Sequence, residues 1–153
     1  MKKRICFLLI FACVFQLAGC KKSVSAEEIL KEFLTSYGIE GTLYSSEREI
    51  YEEGYISREL FDKIFITNGE HPRNFALFLN QRSGIGFEAG VFICEGAKEK
   101  EFVTEMCLER LGLIAEGEGK RLFISSGDLI FYTNASEKEK AEDLFRKIIR
   151  ACY

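Results

Sequence analysis

The chain contains one histidine, His71, and a hydrolytic site built on an imidazole base would have to use it. His71 lies in the segment Asn68-Gly69-Glu70-His71-Pro72, whose composition predicts a turn. No cysteine or carboxylate stands beside it at the spacing of a zinc site. A Ser-His-Asp site would also need a distant aspartate, and the candidates are Asp62, Asp128 and Asp143. We therefore interpret His71 as a solvated loop residue and keep an enzyme with an unconventional site as an alternative.

Two glycine clusters are superficially similar to phosphate-binding loops. Gly84-Ile85-Gly86 and Gly90 fall within a predicted hairpin, whereas the dinucleotide motif needs its glycines between a strand and a helix. In Gly117-Glu118-Gly119-Lys120, the next residue is Arg121, where a P-loop requires serine or threonine. The acidic run from Glu47 to Glu59 lacks the ligand pattern of a calcium loop and is interpreted as a solvated helix face. We expect neither a metal nor a cofactor.

The body of the chain carries three cysteines, Cys94, Cys107 and Cys152, each on or beside an apolar stripe. No nearby histidine, lysine pair or CxxC motif would activate them, so buried and inert thiols are expected. If a disulfide forms, we expect it to join Cys94 to Cys152. The predicted fold brings the end of one strand and the end of the last helix to the same edge of the sheet.

The first twenty residues have the order of a secretory signal. Lys2, Lys3 and Arg4 form a basic start, and the apolar run from Ile5 to Leu17 is interrupted only by Gln16. This run is shorter than the roughly 17–25 residues that a membrane-spanning helix needs. It ends in Leu17-Ala18-Gly19-Cys20, which resembles the lipobox of bacterial lipoproteins.

That resemblance implies that residues 1–19 are a cleaved signal peptide and that Cys20 carries diacylglycerol on its sulfur. The two acyl chains of that group, with a third if the new amino group is acylated too, are enough to anchor a protein stably. Residues 20–25 would then be the lipidated cysteine with a short tether, and 26–153 one globular domain. The expected location is the extracytoplasmic side of a cell membrane, with the membrane itself as a partner through Cys20.

Composition and charge restrict the other partners. The hydrophobic fraction of 47% is typical of a packed globule rather than a disordered stalk. Removing residues 1–19 takes away three basic residues and no acidic ones, which changes the net charge from −3 to −6. An exported acidic domain is a poor nucleic-acid binder, so we expect no nucleic-acid partner.

The pattern of apolar residues predicts an α+β domain. A capping box at Ser25 opens a helix that ends at Gly38, and short helices after Ser46 and Ser57 are expected between residues 42 and 66. Further on, two hairpins alternate with two long helices; the predicted ranges are 75–80, 87–94, 98–114, 121–125, 129–134 and a helix following the capping box at 136–139.

This order predicts a four-stranded antiparallel sheet with both long helices on one face, as in ferredoxin-like folds, and extra N-terminal helices. Together with the lipobox and short tether, the order of elements over about residues 75–150 resembles a functionally uncharacterised family of small lipoproteins of Gram-positive bacteria. The resemblance does not assign an active site to any residue of this sequence.

One strand suggests a binding surface. Within 87–94, the residues Phe87, Ala89, Val91 and Ile93 are uniformly apolar, whereas the opposite face carries Glu88 and Phe92. We expect the N-terminal helices to cover this second face only partly and to leave a groove at Glu88 and Phe92. The favoured function is a non-enzymatic module that binds an envelope protein or a small ligand; a structural or assembly subunit is a further alternative.

Overall fold

The structure of the protein is a computed structural model that describes residues 24–80, 86–115 and 120–152. The signal segment 1–19, Cys20 and the Gly84-Ile85 loop lie outside these described residues. The elements in chain order are α1 (Ala26–Tyr37), β1 (Leu43–Ser45), α2 (Arg58–Ile64), β2 (Asn74–Leu79), β3 (Glu88–Ile93), α3 (Ala97–Ile114), β4 (Leu122–Ser126), β5 (Leu129–Thr133) and α4 (Lys138–Cys152).

Local sequence explains where the first helices begin and end. The Ser25 hydroxyl accepts from the Glu28 amide while the Glu28 carboxylate accepts from the Ser25 amide, so the predicted capping box is confirmed. Gly38 ends α1 with φ at 87°, a left-handed conformation that glycine adopts without a steric penalty. Ser57 caps α2 as expected.

The five strands form one antiparallel sheet in the order β1-β2-β3-β5-β4. The hairpins β2–β3 and β4–β5 lie side by side and are joined through β3 and β5, with Val91 opposite Phe131. The α+β class and the antiparallel sheet are therefore as predicted. The sheet has five strands rather than four, because β1 pairs with β2 at one edge, with Tyr44 opposite Leu77.

Helices cover both faces of this sheet. On what we call the α1/α4 face, Phe33 of α1 and Phe145 of α4 pack on Phe131, whose ring lies 3.9 Å from that of Phe145. On the α2/α3 face, Phe61 and Met106 belong to a second buried cluster. The domain is thus a helix–sheet–helix sandwich with two apolar cores.

This arrangement corrects the prediction that both long helices share one face. The long helices α3 and α4 lie on opposite faces of the sheet, and each is accompanied by one N-terminal helix. The physical reason is visible in β3, where Val91 and Phe92 point to opposite faces and both are fully buried. A strand that is apolar on both sides needs cover on both sides.

Residues 46–54 form consecutive turns instead of the predicted short helix. The Ser45 amide donates to the Gly54 carbonyl at 3.0 Å, and the Phe75 amide donates to the Ser46 hydroxyl at 2.9 Å. These bonds hold both ends of the segment against the sheet, so its middle protrudes. We call residues 46–54 the tyrosine loop, after Tyr51 at its tip.

None of the helices within the described ranges combines the length and the apolar character needed to cross a bilayer.

Candidate functional site

The groove predicted at Glu88 and Phe92 is absent from the structure. Phe92 is 0% exposed and Glu88 is 6% exposed, so neither side chain forms a contact surface. Phe92 packs between Phe65, after α2, and Tyr132 of β5, with ring centroids 6.2 Å apart in both cases. The prediction is wrong because α3 and α2 together cover this face, whereas only partial cover by N-terminal elements was expected.

Glu88 is the centre of a buried ionic network. Its two carboxylate oxygens accept from Arg110 Nε at 2.9 Å and Arg110 Nη2 at 2.7 Å, and Tyr132 donates its hydroxyl to Oε1 at 2.7 Å. Burial raises the pKa of Tyr132 well above its ordinary value, and hydrogen bonding to Glu88 raises that of Arg110. The phenol therefore stays protonated as a donor and the guanidinium stays charged.

The backbone around this network is equally constrained. The Glu88 amide donates to Asn134 Oδ1 at 2.7 Å, and the Thr133 hydroxyl donates to the Glu88 carbonyl at 2.7 Å. The network ties β3, α3 and the end of β5 together with every carboxylate oxygen occupied. Its geometry fits a structural role, since a ligand would have to displace an existing partner.

His71 does meet one of the three aspartates considered for it. Its Nε2 lies 2.8 Å from Asp62 Oδ1, and the Thr67 hydroxyl donates to the same oxygen at 2.7 Å. The Thr67 hydrogen bond is the largest cause of a lowered pKa for Asp62, and the nearby His71 lowers it further. A histidine held by an aspartate is also the base and orienting acid pair that hydrolytic sites use. Within the described residues, the recorded contacts of His71 are Asp62 and the Phe61 ring, which supply no nucleophile.

The disulfide considered between Cys94 and Cys152 is not formed in the structure. Cys94 and Cys107 lie in the cluster on the α2/α3 face, whereas Cys152 packs against the cluster on the α1/α4 face, and all three thiols are free. The end of β3 and the end of α4 do meet, since Ile93 and Ile149 line one cleft, but Cys94 and Cys152 lie on opposite faces of the sheet. Burial raises the pKa of Cys94 to about 11 and that of Cys107 well above its ordinary value, as expected for inert thiols.

The tyrosine loop presents the largest exposed apolar side chains close to the start of the domain. Ile50 is 61% exposed and Tyr51 is 100% exposed, with a backbone φ of 81° at Tyr51. The loop packs against the first turn of α1, where Arg48 forms an ion pair with Glu27. Four exposed carboxylates surround the apolar pair, at positions Glu47, Glu49, Glu52 and Glu53. The sequence predicts this acidic run on a solvated helix face, whereas it lies in consecutive turns.

A second surface feature is an open cleft of about 650 Å³ between the β4–β5 turn and the end of α4. Ile93, Leu129 and Ile149 form its apolar wall, and Asp128 and Arg150 lie at its edge. Its size is that of a small-ligand site, and Ser126, Asp128 and Arg150 are polar residues of its lining. The cleft is open to solvent and would not bury most of a ligand, so the tyrosine loop is the stronger candidate for function.

Comparison with protein-family models, with curated proteins and with solved structures gave no match.

Proposed function

We propose that the protein is a lipoprotein, held by lipid on Cys20 at the extracytoplasmic side of a cell membrane, and that its domain binds a partner in the cell envelope. The observation that carries the proposal is the signal-like start ending in Leu17-Ala18-Gly19-Cys20. The basic start, an apolar run of the right length and the lipobox occur together and in the right order.

The start of the folded domain supports this proposal. The helix α1 begins at Ala26 and its cap is Ser25, so only residues 21–25 separate the lipidated cysteine from packed structure. Five extended residues reach roughly 17 Å, which would keep the domain near the lipid surface. Lys21 and Lys22 would lie where anionic headgroups attract them, whereas the acidic body would be repelled.

Binding is favoured over catalysis by what the ionisable side chains do. Glu88 and Arg110 form an ion pair with each other, and the thiols of Cys94 and Cys107 are buried. One observation favours an envelope enzyme as a second candidate, namely the hydrogen bond between His71 and Asp62. A panel of chromogenic esters, amides and glycosides tests it. Hydrolysis by the purified protein that is lost in His71→Gln would establish the enzyme and displace the binding module.

The anchor is tested by acyl labelling in cells. An alkyne-bearing fatty acid fed to expressing cells should label the wild-type protein and the Cys13→Ala control equally, because Cys13 leaves with the signal. Cys20→Ala should lose the label and the membrane fraction together. Mass spectrometry of the wild-type protein should show a chain that starts at an acylated Cys20. A protein with an intact Met1 and no acyl mass on Cys20 would exclude a lipoprotein.

A further inference from the structure

We infer that the tyrosine loop is a docking surface for a second protein, one that offers an apolar pocket with lysine or arginine side chains at its edge. The inference rests on the binding part of the proposed function and is independent of the lipid on Cys20. Its starting point is the apolar pair at the tip, Ile50 and Tyr51, which is displayed in solvent rather than buried.

The side chain of Tyr51 makes no buried contact inside the domain. A φ of 81° is a left-handed conformation that costs a residue with a Cβ free energy, and it usually belongs to glycine or asparagine. A buried aromatic contact could offset this cost, but Tyr51 is 100% exposed. Strain of this kind persists when the surrounding structure enforces it, and the residue is then available for an external contact.

The loop is held in one shape before any partner arrives. The Glu49 amide donates to Glu52 Oε2 at 2.8 Å, and the Glu52 amide donates to the Glu49 carbonyl at 3.0 Å. At its end, a Cβ on Gly54 would come within 2.2 Å of the Leu43 carbonyl oxygen, which shows how closely the loop is pressed against β1. A preorganised loop loses less conformational entropy on binding.

The negative charge of the tyrosine loop indicates which kind of partner it would bind. Around the apolar pair stand four exposed carboxylates, whereas the one cation of the loop, Arg48, is engaged by Glu27. Such a surface repels anionic lipid headgroups and nucleic acid and attracts lysine and arginine. A tyrosine and an aliphatic residue within a polar rim also match the usual anatomy of a protein–protein contact. A protein is therefore favoured over the bilayer as the occupant.

The test is site-specific photocrosslinking in the native cells with the full-length, processed protein. Position 50 receives benzoylphenylalanine in place of Ile50, and a matched control receives it at Leu113, a side chain that is 71% exposed on α3. We expect a discrete protein adduct from position 50 and none of the same mass from position 113. The crosslinked peptide of the partner should contain lysine or arginine next to apolar residues.

Two further variants show whether the loop chemistry makes the contact. Tyr51→Gly removes the ring and relieves the backbone, so the domain should remain folded while the adduct yield falls at least about tenfold. Replacing the four carboxylates Glu47, Glu49, Glu52 and Glu53 by glutamine should give a comparable loss, and Leu113→Ser should give none.

The remaining outcomes contradict the docking surface. An adduct that contains only lipid would show that the loop contacts the bilayer, and no adduct, or an unchanged yield in Tyr51→Gly, would exclude a docking role. The acyl mass on Cys20, measured in the same sample, separates this result from the anchor. An acylated protein without an adduct overturns the docking surface alone, and an adduct on an unacylated protein overturns the anchor alone.

Discussion

Replacing Arg110 by methionine should show how much the buried network contributes to stability. The substitution keeps the aliphatic length of the side chain on α3 but removes both hydrogen bonds to the Glu88 carboxylate. Glu88, whose side chain is 8% exposed, would then keep the Tyr132 hydroxyl as its remaining recorded side-chain donor. Desolvation of an uncompensated carboxylate makes the variant less stable than the wild type.

The expected loss follows from the geometry. Removing one partner of a buried ion pair costs about 3–5 kcal/mol, and the 20% exposure of the Arg110 side chain lets water reach part of the site. We therefore expect a loss near the lower figure, about 3 kcal/mol. Since domains of this size unfold with about 5–15 kcal/mol, the loss should lower the melting temperature by roughly 10 °C.

A matched triple variant separates the cost of an orphaned charge from lost packing. Glu88→Leu, Arg110→Met and Tyr132→Phe together remove every polar member of the network, so no buried group is left without a partner. We expect this variant to lie within about 1–2 kcal/mol of the wild type in urea denaturation followed by circular dichroism. If Arg110→Met alone costs under about 1 kcal/mol, or if the triple variant is the less stable of the two, the network is not the buried ionic link described above.

Two smaller predictions concern packing and thiol chemistry. Gly90→Ala should destabilise the domain by about 1–3 kcal/mol in the same denaturation assay, because a Cβ at this position would lie 2.3 Å from the Tyr132 ring. The control is Gly112→Ala on α3. A Cβ at that position would meet nothing within 4 Å, so this substitution should be neutral or stabilising. Burial raises the pKa of the Cys94 thiol to about 11 from an ordinary 9.0. The stability that the protonated thiol contributes to the folded state is therefore complete below pH 9 and is lost as the pH rises toward 11. Between pH 9 and pH 11, the free energy of unfolding should fall less steeply in Cys94→Ala than in the wild type. In a separate measurement on the native protein at pH 8, iodoacetamide should modify the partly exposed Cys152 before Cys94.

Much of the secondary structure follows directly from local sequence signals. The capping box at Ser25, the cap at Ser57 and the break at Gly38 all appear where the chain predicts them. The hairpin strands agree to within one or two residues of the predicted ranges. These features depend on contacts between near neighbours, so the sequence specifies them without knowledge of the tertiary fold.

The placement of the helices on the sheet could not be derived in the same way. Alternation along β3 shows two apolar faces, but it does not say which helix covers which face. Assigning α3 to the Phe92 face needs the contacts of Phe65 and Tyr132, which come from distant parts of the chain. The short edge strand β1 was missed for a related reason, since three residues that pair with β2 carry too little periodicity to register as a strand.

The candidate site also depends on contacts between distant parts of the chain, which the sequence alone does not reveal. A carboxylate is unusual in an apolar strand, and this feature of the sequence correctly marks Glu88 as a special position. The role of Glu88 depends on Arg110, which lies further along the chain and neutralises the charge of the Glu88 carboxylate. The sequence predicts a helix at the tyrosine loop because its acidic residues are glutamates, which are good helix formers. Only the positive φ of Tyr51 and its full exposure distinguish the tip of a loop from a helix face.

The arrangement of the hairpins also has a kinetic consequence. Each hairpin closes between neighbouring strands, whereas β3 and β5 are separated by the whole of α3, so their pairing requires closure of a much larger loop. We expect this junction to form late in folding, and the Glu88 network spans it, because its three members lie on β3, α3 and β5. Arg110→Met should therefore accelerate unfolding far more than it slows refolding, and a chevron plot in which the refolding limb carries most of the change would place the junction in the folding nucleus instead.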